Sequence, residues 1–558
     1  MVKKLLTLLH REWNSLHEAA FLLGIFAILS QVLALFRDRL LAHLFGTSQT
    51  LDIYYAAFRI PDFVFAGIAS FMSALVLIPI LTKRAGESDA QAQKFLNDTF
   101  TVFFSVLVAV SVGIFFAIPA LVHTLFPSFS GATYDELVLM SRLMLVSPIL
   151  LGLSNLLGSV TQMLHKFFAF ALAPVLYNVG IIMGAYFFYP AFGLVGLAWG
   201  VVLGAFFHFF VHFFVSSRNG FTLNVSFSPS LSDMWEVVQV SLPRTLGLSA
   251  NQIALFALII FAAKLPNGSI TVFNFAFNLQ SVPLAVIGVS YATAAFPGIS
   301  KHFADDDMQK FLEKILSAAR HIIFWSLPVL VMMIVLRAQI VRTILGSGSF
   351  DWTATRLTAA ALAIFTVSVV AQSVGLLFVR GFYATGNNTI PLVVNALSAV
   401  VIVGAGYGFL AGYTHFPFFQ DFVGALLRVE DLAGASVLML PLAYSVGMLL
   451  NTVLLVYLFR QRFGHFLSPV KKTLMHGSFA AIIGGVVAYE FLEVLGLYLV
   501  MNSFLGVFLQ GFVSGIVGLI TWWLILELMG NEEIRDVRTA LHRKFWKVGV
   551  VMPDKEQI

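Results

Sequence analysis

Charged side chains are few in this chain, and several fall inside long apolar stretches, where an ionisable group is costly and marks a functional candidate. Arg59 stands two residues before Pro61, where a helix is expected to be irregular. Its guanidinium can bind phosphate oxygens through two parallel N–H donors. An ion pair with Asp62 or Asp52 is the structural alternative. Arg37 and Asp38 lie at the end of another apolar stretch and suit either an anionic substrate and its gate or a side chain snorkelling to an interface. Arg244, directly after Pro243, lines a cavity or snorkels; for Arg142 snorkelling is favoured. Asn274 and Asn278, four residues apart, share one helix face that can hydrogen-bond hydroxyls and amides of a ligand or join helices to each other.

Other pairings carry less chemistry. His208 and His212 have i,i+4 spacing, but no carboxylate or thiolate neighbours them, so no metal is expected. Absence of cysteine removes disulfides, thiolate nucleophiles and cysteine-ligated centres. The acidic triplet Asp305, Asp306 and Asp307 precedes a helix and reads as solvated or capping. No GxxxxGK[ST] loop is present, so ATP does not drive a cycle directly, and no cofactor is expected. No Asp or Glu occurs between Glu236 and Asp305 or between Asp351 and Asp421, which excludes a cation site resting on acidic side chains there.

The elements that must position these groups follow from composition. Of 558 residues 59% are hydrophobic and 11% charged, against roughly 25% charged in ordinary soluble domains, too few to give soluble domains their polar shells. The bilayer is therefore the main solvent. Apolar runs long enough to cross it recur near 19–36, 53–82, 97–120, 136–160, 168–189, 192–215, 237–262, 270–298, 315–340, 354–380, 390–411, 434–459, 473–499 and 502–528. Continuous apolar runs, without alternation, mean helices and not barrel strands. The expectation is an all-α polytopic membrane protein with fourteen spans. Residues 1–18 read as an amphipathic interfacial helix with Leu5, Leu9, Trp13 and Leu16 on one side, and 531–558 as a polar tail.

Most Lys and Arg fall in segments on the N-terminal side of the membrane, and only Arg37, Arg39, Lys264, Arg337, Arg342, Arg356 and Arg428 in segments on the other side. Both termini are thus expected in the cytoplasm. The net charge of +5 marks topology, and no compact basic domain for nucleic acid appears.

Gly158, Pro174 and Asn178 recur 217 residues later as Gly375, Pro391 and Asn395, and AAFRIP, ending at Pro61, is echoed by FAFNLQSVP, ending at Pro283. Two parallel six-helix lobes, 19–217 and 234–461, with a helix pair at 470–530 appended, explain the echoes; chance proline spacing is the alternative. Parallel halves point to a transporter that rocks in alternating access around a site between them. Gly196, Gly200 and Gly204 form a small-residue stripe for close packing in the sixth span.

The segment ILSQVLALFRDRLLAHLFGTSQTLDIYYAAFRIPDF resembles the opening of the MurJ/MviN family of bacterial lipid II flippases, within the multidrug/oligosaccharidyl-lipid/polysaccharide exporter superfamily. Ser30, Arg37, Asp38, Phe45, Gly46, Asp52, Phe58, Arg59 and Pro61 fit the family pattern. Ala173-Pro174 with Asn178, FNFAFNLQSVP with the later FPGIS, and Gly381-Phe382-Tyr383 leading to Pro391 continue it. The resemblance implies two lobes around a central cavity, outward translocation of a polyprenyl-pyrophosphate-linked peptidoglycan precursor in the cytoplasmic membrane, and a groove for its lipid tail at the last two helices. Gln31 replaces a family arginine, Phe65, Ala66 and Ser70 replace further charges, and Asn278 and Ser281 replace an arginine and a glutamate, so the cavity is less cationic than the family pattern.

The candidate substrate-binding set is therefore Ser30, Gln31, Arg37, Asp38, Asp52, Arg59, Arg244, Asn274 and Asn278. Expected partners are the lipid-linked precursor, membrane lipids and enzymes of cell-wall synthesis. Alternatives are a flippase for another polyprenyl-linked polysaccharide, a cation-coupled exporter of amphiphilic drugs, and a membrane-bound transferase or scaffold.

Overall fold

The structure, a computed structural model, describes residues 16–72, 74–464, 467–500 and 503–545. Among them there is no strand. A bilayer offers the backbone no hydrogen-bonding partner, so each apolar run closes its own bonds as a helix.

The first span is α1 (Leu16–Phe45); of the expected interfacial helix, residues 1–15 lie outside the described residues. The second span is broken into α2 (Gln49–Ala57), α3 (Arg59–Ile68), a 3-10 turn (Ala69–Met72) and α4 (Ala74–Glu87). Pro61 explains the first break. It has no N–H for the Ala57 carbonyl, so the helix stops there, turns at Phe58 and restarts with Arg59 in its first turn. Spans three to six are α5 (Asp89–Leu125), α6 (Ala132–Met144) with α7 (Val146–Met163), α8 (Phe167–Met183) and, after a π-helical turn (Gly184–Phe188) and the short α9 (Tyr189–Phe192), α10 (Leu194–Arg218).

The second half opens with α11 (Leu231–Ala263). The eighth span joins α12 (Ser269–Pro283), a π-helical turn (Leu284–Val289) and α13 (Ser290–Ala304). Then come α14 (Met308–Val335), the short α15 (Arg337–Leu345), and α16 (Trp352–Val367) and α17 (Val369–Ala384), a pair bent by 40°. α18 (Thr389–His415), the short α19 (Pro417–Leu427) and α20 (Met439–Phe463) follow. The last apolar pair is α21 (Ser468–Tyr498) and α22 (Phe504–Leu528), and α23 (Glu532–Phe545) begins the polar tail, whose remainder lies outside the described residues.

Eleven of the described helical segments are long and apolar enough to cross a membrane, twelve when the bent pair counts as one. The two other expected spans are the broken second one and α11, whose apolar helix is the short Ser249–Ala263. Twelve of the fourteen expected spans thus have a helix, or a bent pair, that meets this test, in the expected order.

The chain gathers into two compact units. The first holds the described residues up to Leu279 with Ile344–Ile364 and Asn388–Asn451; the second holds Gln280–Thr343, Phe365–Asn387 and the described residues from Thr452. This division differs from a six-helix repeat.

In the first unit the glycine stripe packs as its spacing suggests. A side-chain carbon on Gly200 would strike the backbone of Gly184, and one on Gly204 the carbonyl of Tyr177, so α8 and α10 meet backbone to backbone. Both histidines of α10 have hydroxyl partners: His208 Nδ1 lies 2.6 Å from Ser154 Oγ and His212 Nδ1 3.1 Å from Thr161 Oγ1. The turn after α1 is held by two loops. Gly46, at φ +61°, abuts the Ser349 carbonyl, and Gly268, at φ +92°, abuts the Thr47 carbonyl; any Cβ would collide at both positions, so only glycine fits. Arg39 Nη1 donates to the Ile344 carbonyl (3.1 Å) and the Ser349 amide to the His43 carbonyl (2.9 Å).

In the second unit α14 packs on α21 through Met332, Leu336, Ala488 and Leu492, and α21 approaches α22 at Gly484 and Gly518. Outside the apolar region, Glu533 of α23 accepts from Arg320 Nε (2.7 Å) and from Thr473 Oγ1 (2.5 Å), while Glu532 accepts from Arg320 Nη2 (2.6 Å).

Candidate substrate-binding site

One charged residue from each of α1, α2 and α3, namely Asp38, Asp52 and Arg59, meets α12. Its first turn begins after a loop, where helix amides lack intrahelical acceptors. Asp52, buried, supplies them: Oδ2 accepts from the Gly268 amide (2.6 Å), and Oδ1 from the Thr271 amide (2.8 Å) and hydroxyl (2.7 Å). A carboxylate at a helix N-terminus is favoured by both the free N–H groups and the helix dipole. One turn on, Arg59 Nη2 donates to Asn274 Oδ1, while Asn274 Nδ2 donates to the Ile270 carbonyl (2.7 Å). A further turn on, Asn278 Nδ2 donates to Asp38 Oδ2 (2.9 Å). Thr271, Asn274 and Asn278 lie at helical spacing along one face, so α12 presents a stripe of neutral donors and acceptors to three ionic partners.

Asp38 is 2% exposed, and its other oxygen is taken by Arg37, whose Nε and Nη2 both donate to Oδ1 (2.9 and 2.7 Å). Arg37 Nη1 donates to Asn178 Oδ1 (3.2 Å). Asn178 in turn donates to Ser30 Oγ (3.4 Å) and to the Pro174 carbonyl (3.1 Å). One continuous network thus runs Ser30, Asn178, Arg37, Asp38, Asn278 through α1, α8 and α12.

The two arginines differ in what remains available. Arg37 is held by a carboxylate on one edge and an amide on the other. The hydrogen-bond partner of Arg59 is the neutral Asn274, neither Asp62 nor Asp52, and its Nε is buried without a partner. Asp62, three residues along α3, is exposed.

Of the nine sequence candidates, Ser30, Arg37, Asp38, Asp52, Arg59, Asn274 and Asn278 meet directly in these networks. Gln31 is half-buried in α1 beside Ser30. Arg244 falls in α11, and its side chain lies outside the described residues. Arg142 is elsewhere, with Nε on the Phe115 carbonyl (3.1 Å) and its guanidinium over the Phe115 ring. Asn178 was legible as a repeat landmark and as a match to the family pattern, not as a site residue. The signal that could have found it is a buried amide inside an apolar span, a costly placement without a polar partner.

Comparison with solved structures gives the class first. An inward-facing multidrug resistance MATE family transporter of the MOP superfamily superposes with a TM-score of 0.64 at 18% identity, over 80% of this chain and 96% of that one. A lipid II flippase MurJ in an inward closed conformation superposes at 0.73 and 20% identity, over 93% of this chain and all of the other. The chain shares the all-helical fold of these two proteins. Sequence comparison is narrower: the family described as lipid II flippase MurJ matches residues 41–509. The lipid II flippase MurJ of Burkholderia cenocepacia is 27% identical over 410 residues, 70% of this chain and 78% of its own length. A probable lipid II flippase MurJ of Bdellovibrio bacteriovorus is 25% identical over 544 residues, 94% and 96% of the two chains. This chain belongs to the MurJ lipid II flippase family and is a multi-pass protein of the bacterial inner membrane.

Proposed function

We propose that this protein carries lipid II from the inner to the outer leaflet by alternating access. Lobes 19–217 and 234–461 rock, the headgroup crosses a hydrated cavity, and the polyprenyl tail stays in lipid along 470–530. Both termini face the cytoplasm, and the reading needs no covalent step. The observation that carries it is the α12 stripe: ionic residues from the first two spans close on neutral groups of the eighth, which makes a seam that can open without stranding a second charge.

Within that seam Arg59 is the pyrophosphate ligand. Beside the Nη2 that donates to Asn274 its Nε is unpartnered, so the two N–H groups of that edge can take a phosphate, and exchanging a neutral amide for a phosphate improves its electrostatics. Arg37, Asp38 and Asn178 hold the wall beside it, and Asp52 fastens α12 until the seam opens. Enzymes of cell-wall synthesis receive the product.

Purified protein in liposomes, offered lipid II and an analogue with an uncharged linkage in place of pyrophosphate, tests this. Selective movement of lipid II is expected. Equal movement of both would overturn pyrophosphate recognition, and cells depleted of the protein that still expose lipid II normally would overturn the function itself.

A further inference from the structure

α19 is an eleven-residue helix that crosses nothing. It follows α18 after one residue, Phe416, with Pro417 in its first turn. α18 spans about 40 Å at 1.5 Å per residue, longer than a hydrocarbon core of roughly 30 Å, so its His415 end reaches the headgroup layer and α19 starts there. Phe418, Phe422 and Leu426, each four residues from the last, form one stripe, and they are 83%, 54% and 64% exposed. The opposite face is committed to the protein: Val423 and Gly424 are buried, and Phe419 turns back toward Gly412 of α18.

The helix is also fixed in rotation. Arg356 grips the segment just beyond its end, with Nη1 and Nη2 on the two oxygens of Asp431 (2.7 and 2.6 Å) and Nη2 on the Arg428 carbonyl (2.6 Å). Arg428 itself closes the helix at φ +59°. The stripe therefore cannot roll inward to bury itself. Its side chains are too apolar for water, and α18, the apolar span that leads into it, leaves Val393, Val400 and Tyr407 exposed as a lipid-facing span would.

We propose that α19 is a membrane-interface foot, its Phe418–Phe422–Leu426 stripe sunk into the headgroup–acyl boundary of the leaflet at the Phe45 end of α1. The occupant of the stripe is bilayer lipid, as the continuity with the bilayer-facing α18 requires. Beyond α19 the chain packs Gly434 against Pro266, two residues before the Gly268 whose amide binds Asp52, so the foot stands beside the seam without belonging to it.

Because the chain has no cysteine, Phe418→Cys, Phe422→Cys and Leu426→Cys each accept one environment-sensitive fluorophore, with exposed Glu430→Cys as control. In liposomes the three stripe sites are expected to shift to the blue, to be quenched by phospholipid with a nitroxide high on its acyl chain, and to lose quenching by aqueous iodide; the control behaves oppositely. Iodide quenching of the stripe equal to that of the control would place the helix in water and overturn the proposal. Protection from both quenchers would mean that protein covers the stripe, and would overturn it equally. Unchanged melting of the unlabelled variants keeps either result from reflecting misfolding.

Discussion

Arg59 meets α12 at Asn274, and Asn278 lies one helical turn further along α12, yet Arg59 and Asn278 make opposite demands on substitution. Arg59 needs a fork, since Nη2 holds Asn274 while Nε on the same edge is open. Arg59→Lys keeps the charge but loses the two-donor geometry, and a charged hydrogen bond contributes about 1.5–3 kcal/mol, so lipid II flipping should fall by roughly tenfold or more. Arg59→Ala should abolish complementation of a depleted strain. Wild-type rates for Arg59→Lys would remove Arg59 from the ligand. Asn278→Asp would set a second carboxylate against Asp38 at a part-buried contact of 2.9 Å; melting in detergent should show a loss of at least about 2 kcal/mol. The ionic residues were legible because charge in an apolar run stands out. Their partners were not: Asp52 meets Thr271 across 219 positions and Asp38 meets Asn278 across 240, and no local pattern encodes such pairings.

Helices were easier to read than their interruptions. Hydropathy finds the spans, and Pro61 explains why the second one restarts at Arg59, but neither π-helical turn leaves a periodicity to read. The restart has a consequence for function. Pro61→Ala restores the missing amide, lets α2 run into α3 and rotates Arg59 away from Asn274; lipid II flipping should drop while melting stays near wild type, and unchanged flipping would show that the break is incidental. α23 gives a pH test. Burial pushes the Glu533 carboxyl up, but hydrogen bonds from Thr473 and Arg320 outweigh it and hold it below the usual glutamate range. A depressed carboxylate stabilises the fold above its unfolded value, near 4.5, and that stability is lost as pH falls through the lower folded value. Amide exchange along α23 should therefore accelerate only below about pH 4.5, and Glu533→Gln should remove that step; exchange that rises between pH 7 and 5 would contradict it.

At the scale of the molecule, composition points to the bilayer as solvent, and the uneven placement of Lys and Arg predicts the sidedness. A single cysteine at Asp305 should resist a membrane-impermeant maleimide in intact cells, while one at Glu430 should react; the reverse labelling would invert the topology. Asn178 bonds α1, whereas its sequence counterpart Asn395 accepts from Asn451 of α20 (2.9 Å). The division into two compact units was not legible, because it depends on which helix ends meet in one state and not on any composition along the chain. The stripe on α12 bears on the environment such a protein inhabits. Each of its three contacts sets one charge against a dipole, and ion–dipole attraction dies away over a few ångströms, far inside the Debye length of about 8–10 Å. Dissolved ions have no room to weaken it. A bacterium that passes from fresh water to brine would find this latch opening with the same reluctance in both.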